Sequence, residues 1–206
     1  MSERLSRERR EHLIGLGFTA GAFLFWGLYP PYWKLLSGVP TFQVFAHRVL
    51  WACVFTACVV AVQRRWPEVR GALGSRRTAL TLLASGLCVA TNWSIYIIGI
   101  LTQRFLSVSM GYFINPLVSV LLGVLILRER LRFWQIVAVA CAFGGVLYMA
   151  VGSGVLPWIS LSLGFSFGLY GLIRKTVAVE SVPGTFVETL LLSPLVVGYL
   201  LFEAIR

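Results

Sequence analysis

Apolar runs at 13–36, 42–62, 78–101, 105–127, 133–151, 156–173 and 185–205 reach, or nearly reach, the roughly 20 residues a helix needs to cross a bilayer. In hydrocarbon every backbone N–H and C=O must be satisfied within the structure, so runs of this length are helices. The chain therefore reads as an all-α, polytopic membrane helix bundle with seven transmembrane helices. With 58% hydrophobic and 13% charged residues, it has more apolar surface than one soluble core can hide.

Lysine and arginine collect in cytoplasmic loops, and their distribution orients the bundle. With the N-terminus inside, the cytoplasmic segments hold Arg4, Arg7, Arg9 and Arg10; Arg64, Arg65, Arg70, Arg76 and Arg77; Arg128, Arg130 and Arg132; and Arg174 and Lys175. The outer side holds only Lys34, Arg104 and Arg206, and Arg48 lies within a span. A missed or invented helix would scramble this alternation. The basic segment 1–12 precedes a full-length apolar run with no A-x-A-like site after it, so the first helix is read as uncleaved.

The net charge of +10 does not point to nucleic acid, because the basic residues sit in short clusters between apolar runs and not on one solvated face. The partners implied are the lipid bilayer and a small-molecule solute, with the oligomeric state left open. Cys53, Cys58, Cys88 and Cys141 lie in apolar runs without CxxC spacing or nearby histidines. They read as packing residues, with neither a disulfide framework nor a metal site indicated. No cofactor is implied.

The first helix carries Trp26-Gly27-Leu28-Tyr29 and then Lys34; the sixth carries Phe167-Gly168-Leu169-Tyr170 and then Lys175, an offset of 141 residues. Val39-Pro40 and Val182-Pro183 follow the two copies. The second copy lies five helices on from the first, so the copies enter the membrane from opposite faces, which is the inverted-repeat design of many secondary transporters. The expected organisation is a basic cytoplasmic N-terminus (1–12), a first five-helix repeat (13–151) and the first two helices of an incomplete second repeat (156–206). The same offset carries the end of the first repeat to about position 292, so the chain is expected to be a fragment of a ten-helix protein.

Polar groups inside spans are expensive and often functional. At about 1.5 Å of rise per residue, Asn92 with Tyr96, Asn115 with Tyr112, and Trp26 with Tyr29 fall between the midplane and the outer half, and these six residues are candidates to line one substrate cavity. Asn115 precedes Pro116 and Tyr29 precedes Pro30-Pro31; each proline frees a carbonyl, which a membrane tolerates only beside protein or a wet cavity. The asparagines serve equally well as hydrogen-bonding glue between helices, and the aromatics as packing or an interfacial belt. His47, Arg48 and Glu188 are candidates for gating or substrate steering, with snorkelling of Arg48 to the outer interface as the alternative. A direct Arg48 to Glu188 pair is rejected because the two lie at different depths.

Gly164-Phe165-Ser166-Phe167-Gly168 fits G-x-S-x-G, but it lies inside an apolar span and the only histidines are His12 and His47. A serine hydrolase is disfavoured on that ground, no catalytic residue is assigned, and the segment reads instead as a G-x-x-x-G helix contact, like Gly17 and Gly21.

Several stretches together resemble the RarD branch of the EamA group within the drug/metabolite transporter superfamily. They are Trp26-Gly27 with Pro31-Tyr32 and Lys34; Ala46-His47-Arg48 with Trp51; Thr91-Asn92-Trp93 with Tyr96; Gly111-Tyr112-Phe113-Ile114-Asn115-Pro116-Leu117; Arg128-Glu129-Arg130-Leu131; Pro157-Trp158; Ser166-Phe167-Gly168-Leu169-Tyr170-Gly171-Leu172 with Arg174-Lys175; and Glu188-Thr189. The resemblance implies a ten-helix transporter of two inverted five-helix repeats in a bacterial inner membrane, with relatives that export metabolites such as amino acids. Three helices of that pattern are absent. The expected function is alternating-access transport or export of a small organic solute, without enzymatic activity. The other readings are a seven-helix receptor or sensor, disfavoured by a cytoplasmic N-terminus and by a seventh helix without lysine, and a truncated fragment that does not transport.

Overall fold

The computed structural model describes residues 2–36, 38–153 and 158–206. They form nine helices, in two compact units, Met1–Gly38 and Val39–Arg206. The first unit holds α1 (Ser2–Gly27) and α2 (Tyr29–Leu35). The run read as one span breaks at Leu28, directly before Tyr29-Pro30-Pro31. A proline has no N–H to continue α1, but it fits the first turn of a new helix, where donors have no intrahelical partner anyway.

The second unit holds α3 (Thr41–Val62), α4 (Trp66–Gly74), α5 (Arg76–Leu101), α6 (Phe105–Leu125), α7 (Phe133–Ser153), α8 (Trp158–Lys175) and α9 (Ser181–Ile205). Among the described residues, six stretches are long and apolar enough to cross a membrane. The sixth run of the sequence, α8, is not one of them: it has 18 residues, is rich in glycine and serine, and ends in Arg174-Lys175. Residues 156 and 157, where that run was expected to begin, lie outside the described residues. The short helix α4 was not anticipated. Pro67 opens its first turn and Glu68 sits at the positive end of its dipole.

Helix ends follow local chemistry. The Ser75 hydroxyl accepts from the Thr78 amide at 3.4 Å to start α5. α3 and α5 close through left-handed residues, Arg64 (φ 55°) and Gln103 (φ 58°), with the Arg65 amide donating to Val60 O and the Arg104 amide to Gly99 O. Hydroxyls within the spans donate to carbonyls of the preceding turn, as Thr56 does to Ala52 at 2.7 Å and Thr91 to Leu87 at 2.8 Å, so they are not left unpaired in apolar surroundings.

α8 lies along both α5 and α6. It runs parallel to α6: Ser160 donates to Ser107 O at 2.5 Å, Gly164 sits on Ile114, Gly168 on Val118, and Lys175 meets Glu129. A Cβ added at Gly164 would stand 2.6 Å from Ile114 Cγ2, and one at Gly168 2.7 Å from Val118 Cγ1. The helices approach this closely because α8 has no side chain at those points, which is the G-x-x-x-G contact read from the sequence. Gly17 and Gly21 lie in the first unit and meet no such neighbour there.

α9 runs antiparallel to α3. Phe42 stacks edge-on against Tyr199 at one end, at 4.5 Å, and Val60 packs with Phe186 and Val187 at the other. Val69 and Ala72 of α4 and Leu82 of α5 complete that cluster, with Trp66 edge-on to Phe186 at 5.6 Å. α7 packs on α6 and presents apolar side chains such as Phe133, Phe143 and Leu147 outward, as a lipid-facing helix does.

Candidate functional site

Two polar clusters stand in the second unit, at different levels along the helices. The first is aromatic and lies toward the α5–α6 turn. Trp93 and Tyr96 share a face of α5, being three residues apart. The Arg48 guanidinium of α3 lies over the Trp93 ring at 4.4 Å, a cation–π arrangement. Tyr96 meets Tyr112 of α6 edge-on, with centroids 6.4 Å apart, and Arg48 is within electrostatic reach of Tyr112. One turn along α6, Asn115 has its Oδ1 buried with no hydrogen-bond partner among the described atoms. Pro116 follows it inside the helix and cannot donate to the Tyr112 carbonyl, so this stretch holds two underserved acceptors side by side. The proline of α9 differs: Ser193 donates to the carbonyl of Leu190 at 2.7 Å, which Pro194 leaves free.

Asn92 turns away from this cluster. Its Nδ2 donates to Leu163 O at 2.9 Å and to Ser166 Oγ at 3.0 Å, tying α5 to α8. Replacing it with alanine is expected to cost about 0.6–1.7 kcal/mol, the span of interhelical hydrogen bonds measured in membranes, read as a lower thermal midpoint in detergent. Trp26 stands in the first unit, edge-on to Phe23 at 5.8 Å, and the side chain of Tyr29 lies outside the described residues. His47 is exposed while its neighbour Arg48 is half-buried. Trp93 was missed as a site residue, although its spacing from Tyr96 placed both on one helix face.

The second cluster surrounds Glu188 of α9, which is 1% exposed. Ser85 of α5 donates to its Oε1 at 2.6 Å, and Tyr170 of α8 lies close beside it. Arg174 approaches through Nε at 3.7 Å. Gly86 makes room for α9 here: a Cβ on it would lie 3.4 Å from the Glu188 Cβ and carbonyl oxygen. The partner of Glu188 is thus Arg174 and not Arg48. Sequence reasoning missed Tyr170 and Arg174 as partners, though they are four residues apart and so share a face of α8.

Arg174 itself sits across Gly184 and donates through Nη2 to Val179 O and Glu180 O, both at 3.2 Å, while its Nη1 is buried without a hydrogen bond. Outside it, Arg65 bridges Glu68 and Glu180 at 2.7 Å each, and Lys175 pairs with Glu129 at 3.1 Å. The carboxylates beside Arg65 hold its guanidinium even more firmly protonated than usual. Arg65, Arg174, Lys175 and Glu180 line an open cleft of about 460 Å³ at this charged end. The four cysteines are free thiols.

Residues 13–151 match the model of the EamA-like transporter family. The chain is 42% identical over 193 residues to the uncharacterized transporter YojE of Bacillus subtilis, an overlap of 92% of this chain and 64% of that protein. It is 41% identical over 186 residues to the protein RarD of Salmonella typhimurium (90% of this chain, 63% of that one). With the chloramphenicol-sensitive protein RarD of Pseudomonas aeruginosa it shares 34% identity over 175 residues (83% and 58%). The chain spans less than two thirds of the length of these relatives. No solved structure matches it.

Proposed function

Because the chain belongs to the EamA-like transporter family, we propose that it forms the larger part of an alternating-access carrier for a small organic solute, and is not an enzyme. The carrier sits multi-pass in a bacterial inner membrane, with its N-terminus in the cytoplasm. Relatives named as transporters, from Bacillus and Vibrio among others, support this reading.

α8 also crosses, which brings the crossings to seven. Its contacts with α6 continue from Ser107 to Glu129, and it is short because a span sheathed by α5 and α6 needs less apolar surface of its own. The inverted repeat has matching support: the 141-residue offset carries α3 onto 182–203, within α9, and these two helices cross antiparallel. The charged end, where the α3, α6 and α8 C-termini meet the start of α9, is the cytoplasmic one by its arginines and lysines.

The observation that carries the substrate site is Arg48 stacked on Trp93 beside the Tyr96–Tyr112 pair, at the level of the Asn115-Pro116 break. An aromatic wall, a held cation and free acceptors suit a compact, partly apolar molecule with one polar end. His47 and Arg48 steer the solute inward, and Glu188 gates the cytoplasmic side. The test is uptake of a panel of amino acids and aromatic acids into vesicles containing the purified chain. Arg48→Ala is expected to lower uptake by roughly tenfold or more, and Arg48→Lys to restore little, because a point charge does not reproduce a planar stacked guanidinium. Normal uptake by Arg48→Ala would remove this cluster from the transport path.

A further inference from the structure

We propose that Glu188 is the site at which this carrier binds a coupling proton, and that proton binding there releases the α8–α9 link at the cytoplasmic end. The proposal rests on the transporter reading above and adds the coupling ion to it.

A carboxylate 1% exposed inside a helix bundle is costly to keep charged unless it is fully paired. Its pairing here is incomplete. A strong arginine–carboxylate contact is forked, with two N–H···O bonds near 2.8 Å, whereas Arg174 offers only Nε, at 3.7 Å. Its Nη2 is committed to the carbonyls of Val179 and Glu180, and its Nη1 has no hydrogen bond. Arg174 is therefore shared between the buried carboxylate and the link 176–180, and it satisfies neither completely. That is the arrangement of an element with two states, since loss of the Glu188 charge removes the attraction that holds the guanidinium inward.

The ligand is a proton and not a metal cation. The Ser85 hydroxyl is already committed to Oε1 at 2.6 Å, and the Arg174 charge beside the carboxylate repels a metal cation. Protonation adds H⁺ to a carboxylate oxygen, and the Ser85 hydroxyl then turns from donor to acceptor. Among the described residues no other ionised group faces the carboxylate. α5 faces Glu188 with Ser85, and α8 with Tyr170 and Arg174. α3 brings the Cys53 thiol near Thr189, and α4 meets α9 through apolar residues while its Glu68 is bound to Arg65. The cleft lined by Arg174 and Glu180 gives water a way to this end.

The test titrates the purified chain in phosphatidylethanolamine–phosphatidylglycerol vesicles, following the infrared band of protonated carboxyl groups together with amide hydrogen exchange in residues 176–180. Acidification is expected to raise a carboxyl band that Glu188→Gln lacks, and to speed exchange in the link by about tenfold. Glu188→Gln is expected to show the fast exchange at every pH. Ser85→Ala and Tyr170→Phe keep the carboxyl group and are expected to displace the midpoint of its titration, so the test survives if the glutamine variant does not fold. A band unaltered in Glu188→Gln, an unmoved midpoint in both other variants, or a link indifferent to pH would each overturn the proposal. Uptake of solute that neither moves protons nor responds to a pH gradient would overturn it too while leaving transport standing. A titrating Glu188 in a chain that moves no solute would instead leave the proton site standing without its coupling to transport.

Discussion

Arg174→Ala is expected to cost about 3–5 kcal/mol, because removing one partner leaves a charged carboxylate buried and uncompensated. The loss has two parts: Glu188 keeps the Ser85 hydroxyl, and the carbonyls of Val179 and Glu180 lose their Arg174 donor. In detergent the unfolding midpoint should fall by on the order of 10 °C. The double variant Arg174→Ala with Glu188→Gln should recover most of the fall, since an amide in that position carries no charge and can still hydrogen-bond Ser85. If the double variant were no more stable than Arg174→Ala alone, the pair would be energetically silent. Arg174 would then act only through the α8–α9 link.

Gly164→Leu is expected to prevent α8 from seating between α5 and α6. Even the first added carbon would stand 2.6 Å from Ile114 Cγ2 and 3.4 Å from the Ile114 carbonyl carbon, and backbone cannot swing aside as a side-chain tip can. Gly164→Ala should cost about 1–3 kcal/mol as an overpacked contact, and Ile114→Ala in the same chain should relieve much of it by removing the methyl group that is struck. Gly171→Ala is the internal control. No atom lies within 4 Å of its added Cβ, so this change should be neutral or stabilise by up to about 1 kcal/mol from helix propensity alone. The readout is the folded fraction retained on gel filtration after heating. Equal losses at Gly164 and Gly171 would show that α8 tolerates no change, whatever its contacts.

These two residues mark where sequence reasoning succeeded and where it stopped. Helix positions for 42–62, 78–101, 105–127 and 133–151 fall within two residues of α3, α5, α6 and α7 at either end, because lipid imposes one simple rule on any apolar run of that length. α4 escaped notice because it is short and carries mixed residues. Its place depends on the hydrophobic cluster around Phe186, which joins residues far apart in the chain.

The helix contact at Gly164 and Gly168 was legible because small residues four apart leave a stripe that only another helix can fill. Among the site residues, Tyr96 and Tyr112 were placed together by counting depth along two neighbouring helices, and that count works because the rise per residue is constant. Depth does not give rotation about the helix axis. That rotation turns Asn92 onto α8, Arg48 onto Trp93 and Glu188 onto Ser85.

The seven apolar runs, by themselves, determined that this chain must be helical in a bilayer: hydrophobicity and backbone satisfaction act locally, on each run alone. The tertiary structure decided which of the seven contain partners for buried charge. Depth along the helices already ruled out Arg48 for Glu188, but the pairing with Arg174 and the close seat of α8 on α6 come from side-chain packing between helices, where distances of a few tenths of an ångström decide the outcome and sequence spacing carries no such information.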